Sequence, residues 1–252
     1  MEKRIGRAIV ALLTVAVLTL AGVGARISYA SSTKDITTFS GDFGKRWIFQ
    51  LMKSTWPSGP APDPIWSVDN VQFCNGKMVL SLDQKNGQLT SGEVQTYKKF
   101  GYGLYQVRMK PIKHDGTVSA FFNYARNDET GDGTEIDIEF LGADTTKVQF
   151  AYHTNGVSRH GYLYDLGFDA SKEYHDYAFY WTSDAIYWFV DGNLAYEVHA
   201  NDIPKLEAGI YMSVWAGGTT SWLGDFDRKT PLYAYYERYS YTSLEDLNKS
   251  IK

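Results

Sequence analysis

The chain has 252 residues, 44% of them hydrophobic and 15% aromatic, with a formal net charge of −4. An acidic balance argues against nucleic acid or another anionic polymer as the main partner. A single cysteine, Cys74, excludes an intramolecular disulfide, and five histidines without ligand spacing argue against zinc chemistry.

Residues 1–30 read as a secretory leader. Lys3, Arg4 and Arg7 form a basic start, Ile9 to Val23 is an almost unbroken apolar run, and Ser28-Tyr29-Ala30 offers small residues where a signal peptidase reads. The run falls short of the roughly 20 apolar residues a spanning helix needs, and Arg26 closes it. Cleavage after Ala30, secretion and no membrane attachment of the mature protein are therefore expected. Removing 30 of 252 residues, four basic and one acidic among them, leaves 222 residues with 21 basic and 28 acidic side chains. That length suits one large domain with a substantial core.

Residues 53–65 hold four of the seven prolines and read as an irregular loop. Strands follow. Met78, Leu80 and Leu82 alternate with Val79 and Ser81, and Tyr105, Val107 and Met109 alternate with Gln106, Arg108 and Lys110. Val148–His153, Phe179–Trp181 and Ile210–Met212 are rich in β-branched and aromatic residues. Ile186–Val190 and Leu194–Val198 flank Asp191-Gly192-Asn193, a hairpin signal because such a turn needs positive φ. Helical signals are few: one turn over Asp169–Lys172, and a short helix over Leu244–Lys249 capped by Ser243. The pattern indicates an all-β sandwich, a single domain over residues 31–242 with a short tail at 243–252.

Glu135-Ile136-Asp137-Ile138-Glu139-Phe140 carries the chemistry. On a strand the three carboxylates share one face, while Ile136, Ile138 and Phe140 point into a core. Like charges in a row repel, and a fold has no need of them. Hydrolysis of a glycosidic bond with retention does need two carboxyl groups, about 5–5.5 Å apart. Residues i and i+4 on a strand have Cα atoms roughly 13 Å apart, a span that two glutamates leaning together reduce to about that gap. Asp137 between them can orient one glutamate. One member of so crowded a set should keep its proton near neutral pH. A solvated acidic face or a cation site is the competing reading; Phe121-Phe122-Asn123-Tyr124 upstream supplies no basic partner for the former.

Glu135-Ile-Asp-Ile-Glu-Phe-Leu-Gly-Ala-Asp-Thr-Thr-Lys-Val-Gln-Phe150 resembles glycoside hydrolase family 16, and within it the bacterial licheninases, which are endo-β-1,3-1,4-glucanases. Phe100–Tyr105, Leu166–Lys172, Tyr177–Phe179, Val190–Gly192, Trp222–Gly224 and Pro231–Ala234 extend the resemblance over roughly residues 66–242. It implies a concanavalin A-like jelly-roll sandwich of two curved antiparallel sheets with the glucan cleft on the concave face. It also implies Glu135 as nucleophile, Glu139 as acid/base and Asp137 as the residue tuning them. Glu93 would hydrogen-bond sugar hydroxyls, and Tyr124, Trp215 and Trp222 would line or stack on sugars. Trp181 and Trp188, in mid-strand, are assigned to packing.

The chain departs from that pattern at Gly133 (tryptophan expected), Ala151 (asparagine), His153 (tyrosine), Ser213 (asparagine) and Gln95 (arginine). These positions lie on the sugar-reading surface, and His153 is counted with the substrate-binding residues. Some relatives bind calcium on the convex side; the matching residue here is Glu237, a weak candidate, and no cofactor is required. The reading is a secreted, monomeric, retaining endo-β-glucanase acting on the β-1,4 bonds of mixed-linkage β-glucan. The same chemistry on a β-1,3-glucan or a bacterial exopolysaccharide, and a non-catalytic carbohydrate-binding protein, are the alternatives. Serine-hydrolase and nucleotide-binding motifs are absent from the sequence.

Overall fold

The computed structural model describes residues 14–18, 27–31, 39–43, 50–58, 64–217 and 221–250. In chain order the strands are β1 (Thr14–Leu18), β2 (Ile27–Ser31), β3 (Phe39–Asp42), β4 (Leu51–Lys53), β5 (Ile65–Trp66), β6 (Val71–Cys74), β7 (Lys77–Lys85), β8 (Gln88–Ser91) and β9 (Glu93–Thr96). They continue with β10 (Gly103–Lys110), β11 (Thr117–Arg126), β12 (Gly133–Leu141), β13 (Lys147–Thr154), β14 (Val157–Asp165) and β15 (His175–Trp181). Last come β16 (Ala185–Val190), β17 (Asn193–His199), β18 (Gly209–Ala216) and β19 (Leu232–Ser243), then helix α1 (Leu244–Ser250).

Two sheets face each other. The first runs β14-β13-β12-β11-β18-β9-β4, antiparallel throughout. The second runs β17-β16-β15-β10-β19-β7-β8-β5, with β3 also on β19, β6 on β7, and a parallel pair between β5 and β8. Strands β1 and β2, inside the expected leader, pair with each other; most of that leader, and the start of its apolar run, lie outside the described residues. Among the described residues no helix is long and apolar enough to cross a membrane.

Alternation builds the core. Ile136, Ile138 and Phe140 of β12, with Val148 and Phe150 of β13, meet Val107, Phe179 and Trp188 of the opposite sheet, all essentially inaccessible. Polar bonds cross the sandwich too. Trp188 Nε1 donates to the Asp137 carbonyl at 3.0 Å, and Tyr236 Oη donates to the carbonyls of Ala120 (3.0 Å) and Ser213 (3.2 Å). Each satisfies a buried donor and ties an inner-face side chain to the strands behind the carboxylates. Trp181, equally buried, donates to the Pro204 carbonyl.

The Asp191-Gly192 turn holds both residues at positive φ (47° and 79°), as a two-residue hairpin requires. Asn75-Gly76, Asn86-Gly87 and Asn155-Gly156 do the same between β6 and β7, β7 and β8, and β13 and β14. Ser243 caps α1: its Oγ accepts from Asp246 N–H and donates to the Asp246 carboxylate.

Strand β14 is not apparent from patterning. Its Tyr162 and Leu163 are neighbours on opposite faces and both are exposed, so neither face shows an apolar period. The expected irregular loop at 53–65 is entered by β4 and left by β5.

Candidate active site

Register carries the site residues onto one surface. Glu135 stands opposite Tyr124 on β11 and His153 on β13; Asp137 opposite Phe122 and Ala151; Glu139 opposite Ala120 and Gln149. One strand further, Tyr124 faces Gly209, Phe122 faces Tyr211 and Ala120 faces Ser213, and Ser213 in turn faces Glu93. A side-chain period of two keeps every one of these on the outer face of the sheet. Small residues in the same rows, Ala120, Ala151, Gly161 and Ser213, leave a cleft where bulkier ones would fill it.

The cleft has a volume of about 490 Å³ and is walled by Glu135, Asp137, Glu139, Gln149, Ala151, His153, Gly161 and Trp222. Asp137 is buried, whereas Glu135 and Glu139 are half-buried with their ends toward the cavity. Burial first, then the charges of Asp137 and Glu139, pushes the Glu135 carboxyl well above the usual carboxylate range. Burial and then Glu139 push Asp137 up as well. The side-chain contact between Glu135 and Asp137 adds to the rise at Glu135 and opposes it at Asp137. Glu139 is pushed up to about 7, mainly by burial, against the opposing influence of His153 and of a hydrogen bond from Gln149.

Sequence reasoning passed over two residues of this sheet face, Gln149 in the cleft wall and Tyr211 beside it. Gln149 donates through Nε2 to Glu139 Oε2 (3.2 Å) and accepts through Oε1 from Trp222 Nε1 (2.8 Å). One amide thus orients both the carboxyl and the indole. The signal was available, since Gln149 alternates with Val148 and Phe150, but it needs the β12–β13 register to be read. Tyr211 stacks on Phe122 (5.1 Å between centroids), meets Tyr124 edge-on (6.0 Å) and donates to Gln95 Oε1 (2.9 Å).

The expected aromatics divide. Trp222, 41% exposed, lines the cleft, and Trp215 supports it with ring centroids 6.0 Å apart. Tyr124 lies over Gly133, where an added Cβ would come within 2.9 Å of its ring. Glycine at 133 therefore makes room for that ring. Glu93 sits three strands from Glu139 and is buried, its Oε1 accepting from Ser54 Oγ at 2.6 Å; burial pushes its carboxyl up to about 7 although Ser54 opposes. His153 borders the cleft with Nε2 3.4 Å from Asp137 Oδ2.

Glu237 lies outside this surface. Its carboxylate accepts from Arg108 Nε at 2.9 Å and stands 3.9 Å from Lys77 Nζ. Two cations already neutralise it, so this residue does not fit a calcium ligand.

Residues 59–235 match the family model described as glycosyl hydrolases family 16. A β-glucanase of Acetivibrio thermocellus is 42% identical over 234 residues, covering 91% of this chain and 69% of that one. A β-glucanase of Bacillus subtilis is 46% identical over 180 residues, 70% of this chain and 74% of that one. The crystal structure of a prokaryotic β-1,3-1,4-glucanase (lichenase) from a mouse hindgut metagenome superposes with a TM-score of 0.77 at 42% identity, covering 82% of this chain and all of that one. The two facing sheets are accordingly a jelly-roll sandwich, and the chain belongs to glycosyl hydrolases family 16 and is a glycoside hydrolase.

Proposed function

We propose that the protein is a secreted, retaining endo-β-glucanase that cleaves β-1,4 bonds of mixed-linkage β-1,3-1,4-glucan by double displacement. The observation that carries this reading is the placement of Glu135, Asp137 and Glu139 along one strand face inside a single cleft. Glu139, protonated up to about pH 7, donates its proton to the glycosidic oxygen while the Glu135 carboxylate attacks the anomeric carbon. The bond to the leaving sugar breaks as a glycosyl ester forms on Glu135. Glu139, now a carboxylate, takes a proton from water; the hydroxide character so created displaces Glu135 and releases a product of retained configuration. Asp137, buried between the two glutamates, orients Glu135 and sets how readily it ionises. Gln149 holds Glu139 in place, Trp222 offers a sugar-stacking face, and Glu93, Tyr124, Trp215 and His153 shape the flanking subsites.

Linkage is supported by the likeness to the mouse hindgut protein, a β-1,3-1,4-glucanase (lichenase). Secretion rests on the leader-like residues 1–30. The enzyme acts as a monomer and without a cofactor. A second reading, the same chemistry on a β-1,3-glucan or a bacterial exopolysaccharide, is favoured by the replacements at Gly133, Ala151 and His153, which remodel the cleft.

Reducing-sugar release from barley β-glucan, lichenan, laminarin and succinoglycan, with NMR of the first anomer formed, tests both parts. The expected result is hydrolysis of barley β-glucan and lichenan with the β-anomer appearing first. Cleavage of laminarin but not lichenan overturns the linkage; an initial α-anomer overturns retention.

A further inference from the structure

Glu135, Asp137 and His153 each turn one donor atom toward the same small volume: two carboxylate oxygens and an imidazole nitrogen, all within 4.8 Å of one another. Asp137 Oδ2 is the centre of interest. Its residue is 3% exposed, and the oxygen has no hydrogen-bond partner. His153 Nε2 stands 3.4 Å away, close but not aligned for a hydrogen bond. A buried oxygen left without a donor is costly, and Asp137 is one of the residues that wall the cleft.

From this geometry we propose that the Glu135–Asp137–His153 corner binds a divalent transition-metal ion, zinc(II) or copper(II), which occupies the cleft in competition with the polysaccharide. The inference rests on the catalytic reading of the cleft only for its inhibitory consequence; the site itself rests on the three donors.

The donor chemistry selects the ion. A neutral imidazole with two carboxylates suits zinc or copper, whereas calcium and magnesium favour oxygen ligands. In a tetrahedral zinc site with bonds of about 2.0–2.1 Å, adjacent donor atoms lie roughly 3.4 Å apart, the separation already present between His153 and Asp137. A side-chain rotation of Glu135 closes the remaining gap. Ala151 and Gly161 project no bulk into the corner, and the cleft of about 490 Å³ has room for water to complete the coordination shell. Three neighbouring carboxyl groups that repel one another give a dication a favourable electrostatic environment. His153 is indispensable in this account, because a tyrosine at 153 would supply no nitrogen donor.

The test uses full-length, tag-free protein and two variants, His153→Tyr and His153→Gln. Calorimetric titration with zinc chloride at pH 7, without substrate, is expected to give one site that either substitution weakens by at least about tenfold. Copper(II) bound to the wild type should show electron paramagnetic hyperfine coupling to one imidazole nitrogen, lost in both variants. Zinc should raise KM for β-glucan and leave kcat unchanged. Equal zinc affinity in wild type and variants, or zinc inhibition that β-glucan does not relieve, overturns the proposal. The outcomes also separate the two readings. His153-dependent binding by a protein inactive on every β-glucan would overturn the proposed function and support the site; active enzyme without such binding would overturn the site alone.

Discussion

Glu93→Gln should make the protein more stable at alkaline pH and less active. Glu93 is buried on β9, with Ser54 Oγ as its hydrogen-bond donor. Burial raises its carboxyl from 4.5 to about 7 in the fold. The folded state therefore binds this proton more tightly than the unfolded chain, and stability falls as pH rises from 4.5 through 7. Above that window the loss is complete. At about 1.36 kcal/mol for each tenfold change in proton affinity, it amounts to about 3 kcal/mol. Glutamine has no charge to bury and its amide oxygen still accepts from Ser54, so the variant escapes this decline. A domain of about 200 residues gains about 2–4 °C in Tm per kcal/mol. Calorimetric melts should thus show the variant about 6–12 °C more stable at pH 8 and indistinguishable from wild type at pH 4. Activity on β-glucan should fall at both. A Tm difference independent of pH, or a less stable variant at pH 8, would refute the reasoning.

Other expectations follow from the same geometry. Gln149→Ala removes the donor that lowers the Glu139 carboxyl, so the basic limb of the pH–kcat/KM profile should move to higher pH. Losing a hydrogen bond to a charged group should also reduce kcat/KM by about 10-fold or more. Trp188→Phe removes the indole donor to the Asp137 carbonyl; denaturant titration should register a loss of about 1 kcal/mol, with a lower kcat as β12 relaxes. Ile138→Ala opens a cavity behind Asp137 at a fully buried position and should cost about 2–5 kcal/mol in the same assay. Glu135→Gln should lower kcat by several orders of magnitude while β-glucan binding, followed by affinity electrophoresis, largely persists.

Much of this site can be read from sequence because strand geometry is so regular. Alternation over Glu135–Phe140 places three side chains outward and three inward whatever the rest of the chain does, and the structure has them so. Asp191-Gly192 and the Ser243 cap are local signals whose geometry depends on a few neighbouring residues. Gln149 and Tyr211 are different. Their significance depends on which strands become neighbours and in which register, and nothing within β13 or β18 encodes that pairing. The short strands β8 and β9 and the edge strand β14 went unread for a related reason, since few residues or two exposed faces leave no period to detect. Glu237 shows the same limit, because its two basic partners come from strands 129 and 160 residues away in sequence.

The hydrogen bond from Trp188 to the back of Asp137 has an evolutionary consequence. Because the carboxylate strand is gripped through its main chain from the inner side, its register does not rest on its outer-face neighbours alone. Positions such as 151 and 153 can drift under selection for a different sugar while the carboxylates between them stay in register. Single outer-face substitutions thus give a lineage a route to new polysaccharides that leaves the main-chain anchor of the strand in place.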